Sequence, residues 1–187
     1  MNRLVHALAI VLLALLLLAG NTAHASGLSI GEVETRLAEQ VYVMDARVDI
    51  DFSERALEAL ASGVPLTLRM DIEVRRTRNW LPDETIATLE QYYQLTYHAL
   101  SNSYLVRNLN SGALYVHPSQ ESAIEALGII RGFPLLDAKL IIPGERYEIE
   151  MRTKLDIDSL PSPLKLLAYV FPDWHLSSAW STWSLQP

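Results

Sequence analysis

Three stretches of this chain alternate apolar and polar side chains at every second residue, a pattern that fits an extended ribbon with one dry face. Leu66, Leu68, Met70, Ile72 and Val74 alternate with Thr67, Arg69, Asp71, Glu73 and Arg75. Tyr147, Ile149, Met151, Thr153, Leu155 and Ile157 alternate with Arg146, Glu148, Glu150, Arg152, Lys154 and Asp156, and a helix of that length would spread the charges around its whole circumference. In the third stretch Tyr42, Met44, Ala46, Val48, Ile50 and Phe52 are set against Asp45, Arg47, Asp49 and Asp51. Each reads as a half-buried strand of about 10 to 13 residues, long beside the usual five or six.

Further strands are expected at residues 28–37, 89–99, 104–109, 113–117 and 174–185, with Asn110, Ser111 and Gly112 as a hairpin turn between two of them. In the last segment Trp174, Leu176, Ser178 and Trp180 share one parity, whereas Trp183 and Leu185 take the other, which a bulge near Ser181 explains. Helical signals are short. Ser53 caps a turn carrying Ala56, Leu57, Leu60 and Ala61 and ended by Gly63; Ser119 caps one carrying Ala123, Ile124, Leu127 and Ile130 and ended by Gly132. A third, residues 163–170, is entered by Pro163. Strands with one wet face belong to antiparallel sheets, and two such sheets covering each other make a mainly β, antiparallel sandwich with two or three short connecting helices. The alternative is an α+β arrangement with helices on one face of an antiparallel sheet.

Residues 1–25 follow an export pattern: Arg3 near the start, an apolar run from Ala7 to Ala19, then Ala23, His24 and Ala25 before the cleavage point. The run of 13 residues is short of the roughly 20 that span a bilayer, so cleavage is expected and a retained anchor is the alternative. The rest, residues 26–187, reads as one β-rich domain located in the periplasm, with no membrane span after cleavage. Its 14 basic and 22 acidic residues give a net charge of −8, which argues against nucleic acid as a partner. The chain has no cysteine, so lipid attachment through a thiol, disulfides and thiolate metal sites are excluded. An exported chain without a phosphate loop or a dinucleotide-binding turn has no claim to nucleotide chemistry, and no cofactor is expected.

No complete catalytic set emerges. Gly27, Leu28, Ser29, Ile30 and Gly31 spell the serine-hydrolase elbow, but no strand precedes them to feed the strained turn, and a frayed terminus is expected there. Ser162 and Lys165 have the S-x-x-K spacing of penicillin-recognising enzymes without the partner triplets that chemistry needs. His98, His117 and His175 are too far apart in sequence for a ligand pair on one element, and the Asp45, Asp49, Asp51 and Asp156, Asp158 sets lack the turn of a calcium loop. Two features suit contact instead. Arg75, Arg76 and Arg78 precede Trp80, a cluster suited to an acidic partner, and Trp174, Trp180 and Trp183 fall within ten residues, where indoles serve either as core or as binding anchors.

Several of these residues carry a family resemblance: Tyr104, Leu105 and Val106 after a tyrosine-rich strand, then Leu155, Asp156 and Ile157, the run from Leu160 to Leu164, and Asp173 and Trp174 with the closing Trp180 and Trp183. Over essentially the whole mature chain the protein resembles the exported proteobacterial family grouped as domain of unknown function 4390. That resemblance implies an amino-terminal signal, a similar length and no assigned catalytic residues. It also implies an envelope-side partner of regulatory or assembly type, since in some genomes the family's gene lies beside one for a nitrogen-regulation type sensor kinase. The resulting expectation is a non-catalytic binding module of the cell envelope. The alternatives are an envelope hydrolase with a dispersed site around His98, His117 or His175, and a carrier holding a small apolar ligand between its sheets.

Overall fold

The computed structural model describes residues 27–185; the expected signal peptide, residues 1–25, lies outside them. Among the described residues the strands are β1 (Gly27–Ala38), β2 (Val41–Asp51), β3 (Leu66–Thr77), β4 (Glu84–His98), β5 (Ser103–Asn108), β6 (Leu114–His117), β7 (Ile129–Asp137), β8 (Arg146–Leu155) and β9 (Ser181–Leu185). The helices are α1 (Glu54–Ala61), α2 (Gln120–Leu127) and α3 (Ser162–Val170). Three strands form one sheet in the order β1-β2-β7 and six form another in the order β6-β5-β4-β3-β8-β9. Every pairing is antiparallel, as the one-sided wetting of the strands requires.

The alternation has the expected consequence. Leu66, Leu68, Met70, Ile72 and Val74 of β3 are fully buried, as are Ile149 and Met151 of β8. The inner face of the small sheet answers with Met44, Ala46 and Val48 of β2, so side chains fill the space between the layers. A second group of core residues, among them Leu66, Leu68, Leu155, Ala56, Leu60, Leu127 and Trp174, joins the end of the large sheet to the helices.

Local capping works as the sequence indicates. The Ser53 hydroxyl accepts from the Ala56 amide at 3.3 Å, and α1 ends before Gly63 at φ +88. Ser119 and Ser122 form a reciprocal capping box at the start of α2. That helix ends at Leu127, however, and not at Gly132. Gly128 follows it, donating back to Ile124 and accepting from the Val48 amide at 2.8 Å, so β2 docks on the helix end. Ile130 consequently belongs to β7, a strand hidden from sequence reading by its Gly132 and Pro134. Proline is tolerated there because β7 is at the edge of its sheet, and the β2–β7 register shifts on either side of it.

Other boundaries also differ from expectation, among them that of β4, which begins at Glu84, five residues before the strand expected from 89. The strand expected over 146–157 stops at Leu155, where the Asp156 carboxylate accepts from the Asp158 amide and opens a short 3-10 turn. The segment 174–185 is a strand only from Ser181: Trp174 closes a 3-10 turn, and an isolated bridge joins Lys154 to Ser177. Met151 faces Ser181 while Lys154 faces Ser177, so between these pairs two residues of β8 oppose three of the other chain segment, which is the bulge that the parity change calls for. Finally, residues 27–31 form the start of β1, paired from Gly27 with Asp51, where a frayed terminus is expected.

The molecule has two distinct ends. One carries the start of β1, α1, α3 and the turn between β4 and β5. The other carries the turn at residues 39–40, the 78–83 turn between β3 and β4, and the 138–145 connection from β7 to β8.

Candidate functional site

The outer face of the large sheet is organised around Asp71. This carboxylate sits in the middle of β3 and is only 7% exposed, on the face that alternation turns toward water. It accepts from Arg69 Nε at 2.5 Å and from Arg152 at 2.9 Å, with Lys154 Nζ at 3.6 Å. The β3–β8 register sets Asp71 against Arg152 and Arg69 against Lys154, which brings residues 81 positions apart into contact. Burial alone would raise the Asp71 pKa, but the hydrogen bonds from Arg152 and Arg69, with the nearby Lys154 charge, hold it below its ordinary value. Arg69 reaches on to Glu90 at 2.5 Å, and the Tyr92 hydroxyl donates to the same carboxylate at 2.8 Å. That bond, followed by burial, raises the Tyr92 pKa.

Trp180 completes this face. Its ring lies beneath the Arg152 guanidinium, 4.7 Å from centroid to carbon, and remains 41% exposed. The bulge decides which tryptophan faces out. Trp183 sits opposite Ile149 and packs on the inner core, and Trp174 is 2% exposed. Of the three carboxyl-terminal indoles, Trp180 is exposed, Trp183 half-buried and Trp174 buried.

The arginines of the β3 end are divided by strand alternation. Arg75 faces outward and binds Glu150 at 3.0 Å. Arg76 takes the inner parity opposite Tyr147 and pairs with Glu84. Arg78 lies 3.4 Å from the same carboxylate. Beyond them Trp80 is 96% exposed and Leu81 61% exposed. Arg146, the first residue of β8, donates to Asn79 at 2.6 Å and ties this turn to the neighbouring connection, which exposes Leu140 and Ile142. Thus Arg76, Arg78 and Trp80 lie together at one end, Arg75 turns to the outer face, Trp180 sits across that face, and Trp174 and Trp183 belong to the core.

The remaining sequence candidates are scattered. His98 pairs with Ser103 and His117 with Tyr104, so the two histidines point to opposite faces of the sheet; His175 is exposed beyond Trp174. Among the described residues no group of three or more His, Asp or Glu side chains is placed to hold a metal. Ser29 lies on a regular strand instead of a strained elbow. Lys165 is occupied by the Asp158 carbonyl at 2.6 Å and carboxylate at 3.3 Å. Asp45 accepts from Arg36 and from the Gly132 amide at 2.5 Å.

Sequence reading missed the Asp71 centre. The pair Arg69 and Asp71, two apart on one strand face, is the only part of it that can be seen locally. Arg152, Lys154 and Glu90 arrive through strand register. Compared with known proteins, residues 25–184 match the family model described as Domain of unknown function (DUF4390). The comparisons with curated proteins and with solved structures gave no match.

Proposed function

This chain belongs to the DUF4390 family, and from that premise we propose that it is a non-catalytic binding module of the cell envelope, exported to the periplasm, which meets a protein partner through the turn carrying Trp80. The observation that carries this reading is the indole itself: at 96% exposure on a short turn, beside the 61% exposed Leu81, it is a large apolar group that nothing among the described residues covers. Indoles and guanidinium groups are the side chains that most often dominate protein contacts, and here Arg78 lies two residues before the indole while Arg146 binds its neighbour Asn79. A partner surface offering an apolar cleft rimmed by carboxylates is its complement. Export rests on the pattern in residues 1–25, which is the reason for placing the partner in the envelope.

The test uses the full chain in cells, with a photocrosslinking residue at position 80 and, as a control, at exposed Glu125 on α2. The expected result is one discrete adduct from position 80, absent from position 125, and loss of the co-purifying partner on Trp80→Ala with the thermal midpoint unchanged. Equal adducts from both positions would overturn the reading, as would recovery of the chain in the cytoplasmic fraction after osmotic shock.

A further inference from the structure

α3 turns its hydrocarbon side outward. Leu166 and Val170 are each 72% exposed and Leu167 is 49% exposed, and with Pro163 they fall at the i, i+3, i+4, i+7 positions of one helical stripe. The inner side of the helix is held by buried Ala168 and by Leu164 against the core. Its polar groups are drawn back to the protein: Lys165 and the Tyr169 hydroxyl, the latter at 2.5 Å, both engage Asp158. The outward stripe therefore carries no charge.

Its position in the molecule indicates what covers it. Gly27 pairs with Asp51, two residues before the Ser53 cap of α1. Arg55 of α1 lies over the Phe171 ring at 4.7 Å and faces Asp173 at 3.5 Å, next to the end of α3. The chain thus enters β1 at the end of the molecule that holds α3. In sequence, the apolar run Ala7–Ala19 is joined to Gly27 by residues 20–26, which reach about 25 Å when extended. Kept uncleaved, the alternative reading of residues 1–25, that run anchors the chain in a bilayer, and α3 lies at the end of the molecule that this tether enters.

We propose that the outward stripe of α3 lies in the interfacial layer of a lipid bilayer and holds the domain there, with the Trp80 turn at the opposite end directed away. The surrounding charge selects the lipid. At this end of the molecule Asp51, Glu54, Asp156, Asp158 and Asp173 outnumber Arg55, Lys154 and Lys165, so headgroups without net charge suit it and anionic ones are repelled. Binding is hydrophobic, and on anionic lipid it strengthens as salt rises, the reverse of a polybasic anchor.

Because the chain has no cysteine, a polarity-sensitive dye on Val170→Cys reads the stripe directly, with Glu125→Cys as the control. With phosphatidylethanolamine–phosphatidylcholine vesicles the dye at position 170 is expected to shift to the blue and to be quenched by brominated lipid, while that at 125 does neither. Leu166→Asp is expected to weaken the response at least tenfold without moving the thermal midpoint, since Leu166 is mostly in water. On phosphatidylglycerol vesicles the response is expected to grow on adding about 0.5 M salt. No blue shift with either vesicle, or a response that falls with salt, would overturn the proposal; a shift seen only with detergent-extracted envelope proteins would do so in favour of a protein partner. The crosslink at position 80 is expected to survive Leu166→Asp, so this proposal and the partner reading fail separately.

Discussion

Asp71 gathers three cations on the outer face of the large sheet. Its side chain is 11% exposed and each of its three cations is about a third exposed, so removing the carboxylate leaves cations that can rehydrate in part. Asp71→Asn is expected to cost about 2 kcal/mol, read as a fall of about 6 °C in Tm. The pH dependence follows from its lowered pKa. The stabilisation is complete well above 3.8, the ordinary aspartate value, and is lost as pH falls through the lower folded value. The gap between wild type and variant is therefore expected to close on acidification below pH 3.8, which thermal scans across that range would reveal. Thr153 makes the opposite case. It lies at 0% exposure on the inner face of β8, and its hydroxyl has no hydrogen-bond partner among the described residues. Thr153→Val keeps the shape and removes the stranded polar atom, and is expected to raise stability by about 1 kcal/mol in urea titration. Alternation placed both residues on their correct faces. It did not reveal that Asp71 is buried, because that depends on β8 lying beside β3 with Arg152 opposite, a register that no local pattern encodes.

Among the elements, the long alternating strands and the serine-capped helices were legible because each signal is contained within a dozen residues. β7 was not, and the cause lies in two glycines. Gly132 takes φ +58 and resembles a helix end in sequence, whereas the glycine that ends α2 is Gly128, at an ordinary φ of −80. What Gly128 supplies is room: a Cβ there would come within 2.2 Å of the Val48 carbonyl oxygen, which is backbone and cannot swing aside. Gly128→Ala is accordingly expected to cost about 2 to 3 kcal/mol by forcing β2 off the helix. Gly132→Ala, with 3.9 Å to its nearest neighbour and only the φ penalty to meet, is expected to cost about 1 kcal/mol. Paired urea titrations give the order; equal losses would mean that β2 and α2 do not dock as described. The tryptophans were half legible for a related reason. A parity change in 174–185 signals an extra residue, but which indole it turns outward depends on where the bulge sits relative to Arg152.

At the scale of the whole molecule, the question is whether the two groups of core residues fold together. Leu66 and Leu68 of β3 belong to the group beneath the helices, while Met70, Ile72 and Val74 of the same strand belong to the group between the sheets. β8 is divided in the same way, with Leu155 in the first group and Tyr147, Ile149 and Met151 in the second, and Ile50 and Tyr93 pack against both. Neither group can lose its packing without pulling apart strands that carry the other, so a single cooperative transition is expected. Two indoles report on the two groups: Trp174 lies in the first and Trp183 against the second. Variants that keep one of them, with the other three tryptophans changed to phenylalanine, allow fluorescence and far-ultraviolet circular dichroism to be compared within the same chain. In each variant the two midpoints in urea are expected to coincide, whatever the cost of the substitutions. A fluorescence midpoint for Trp174 well below its own dichroism midpoint would mean that the helix-bearing end opens first. The α3 stripe would then sit on a separately unfolding cap, and the link argued here between the bilayer-facing end and the Trp80 end would have no rigid body to carry it.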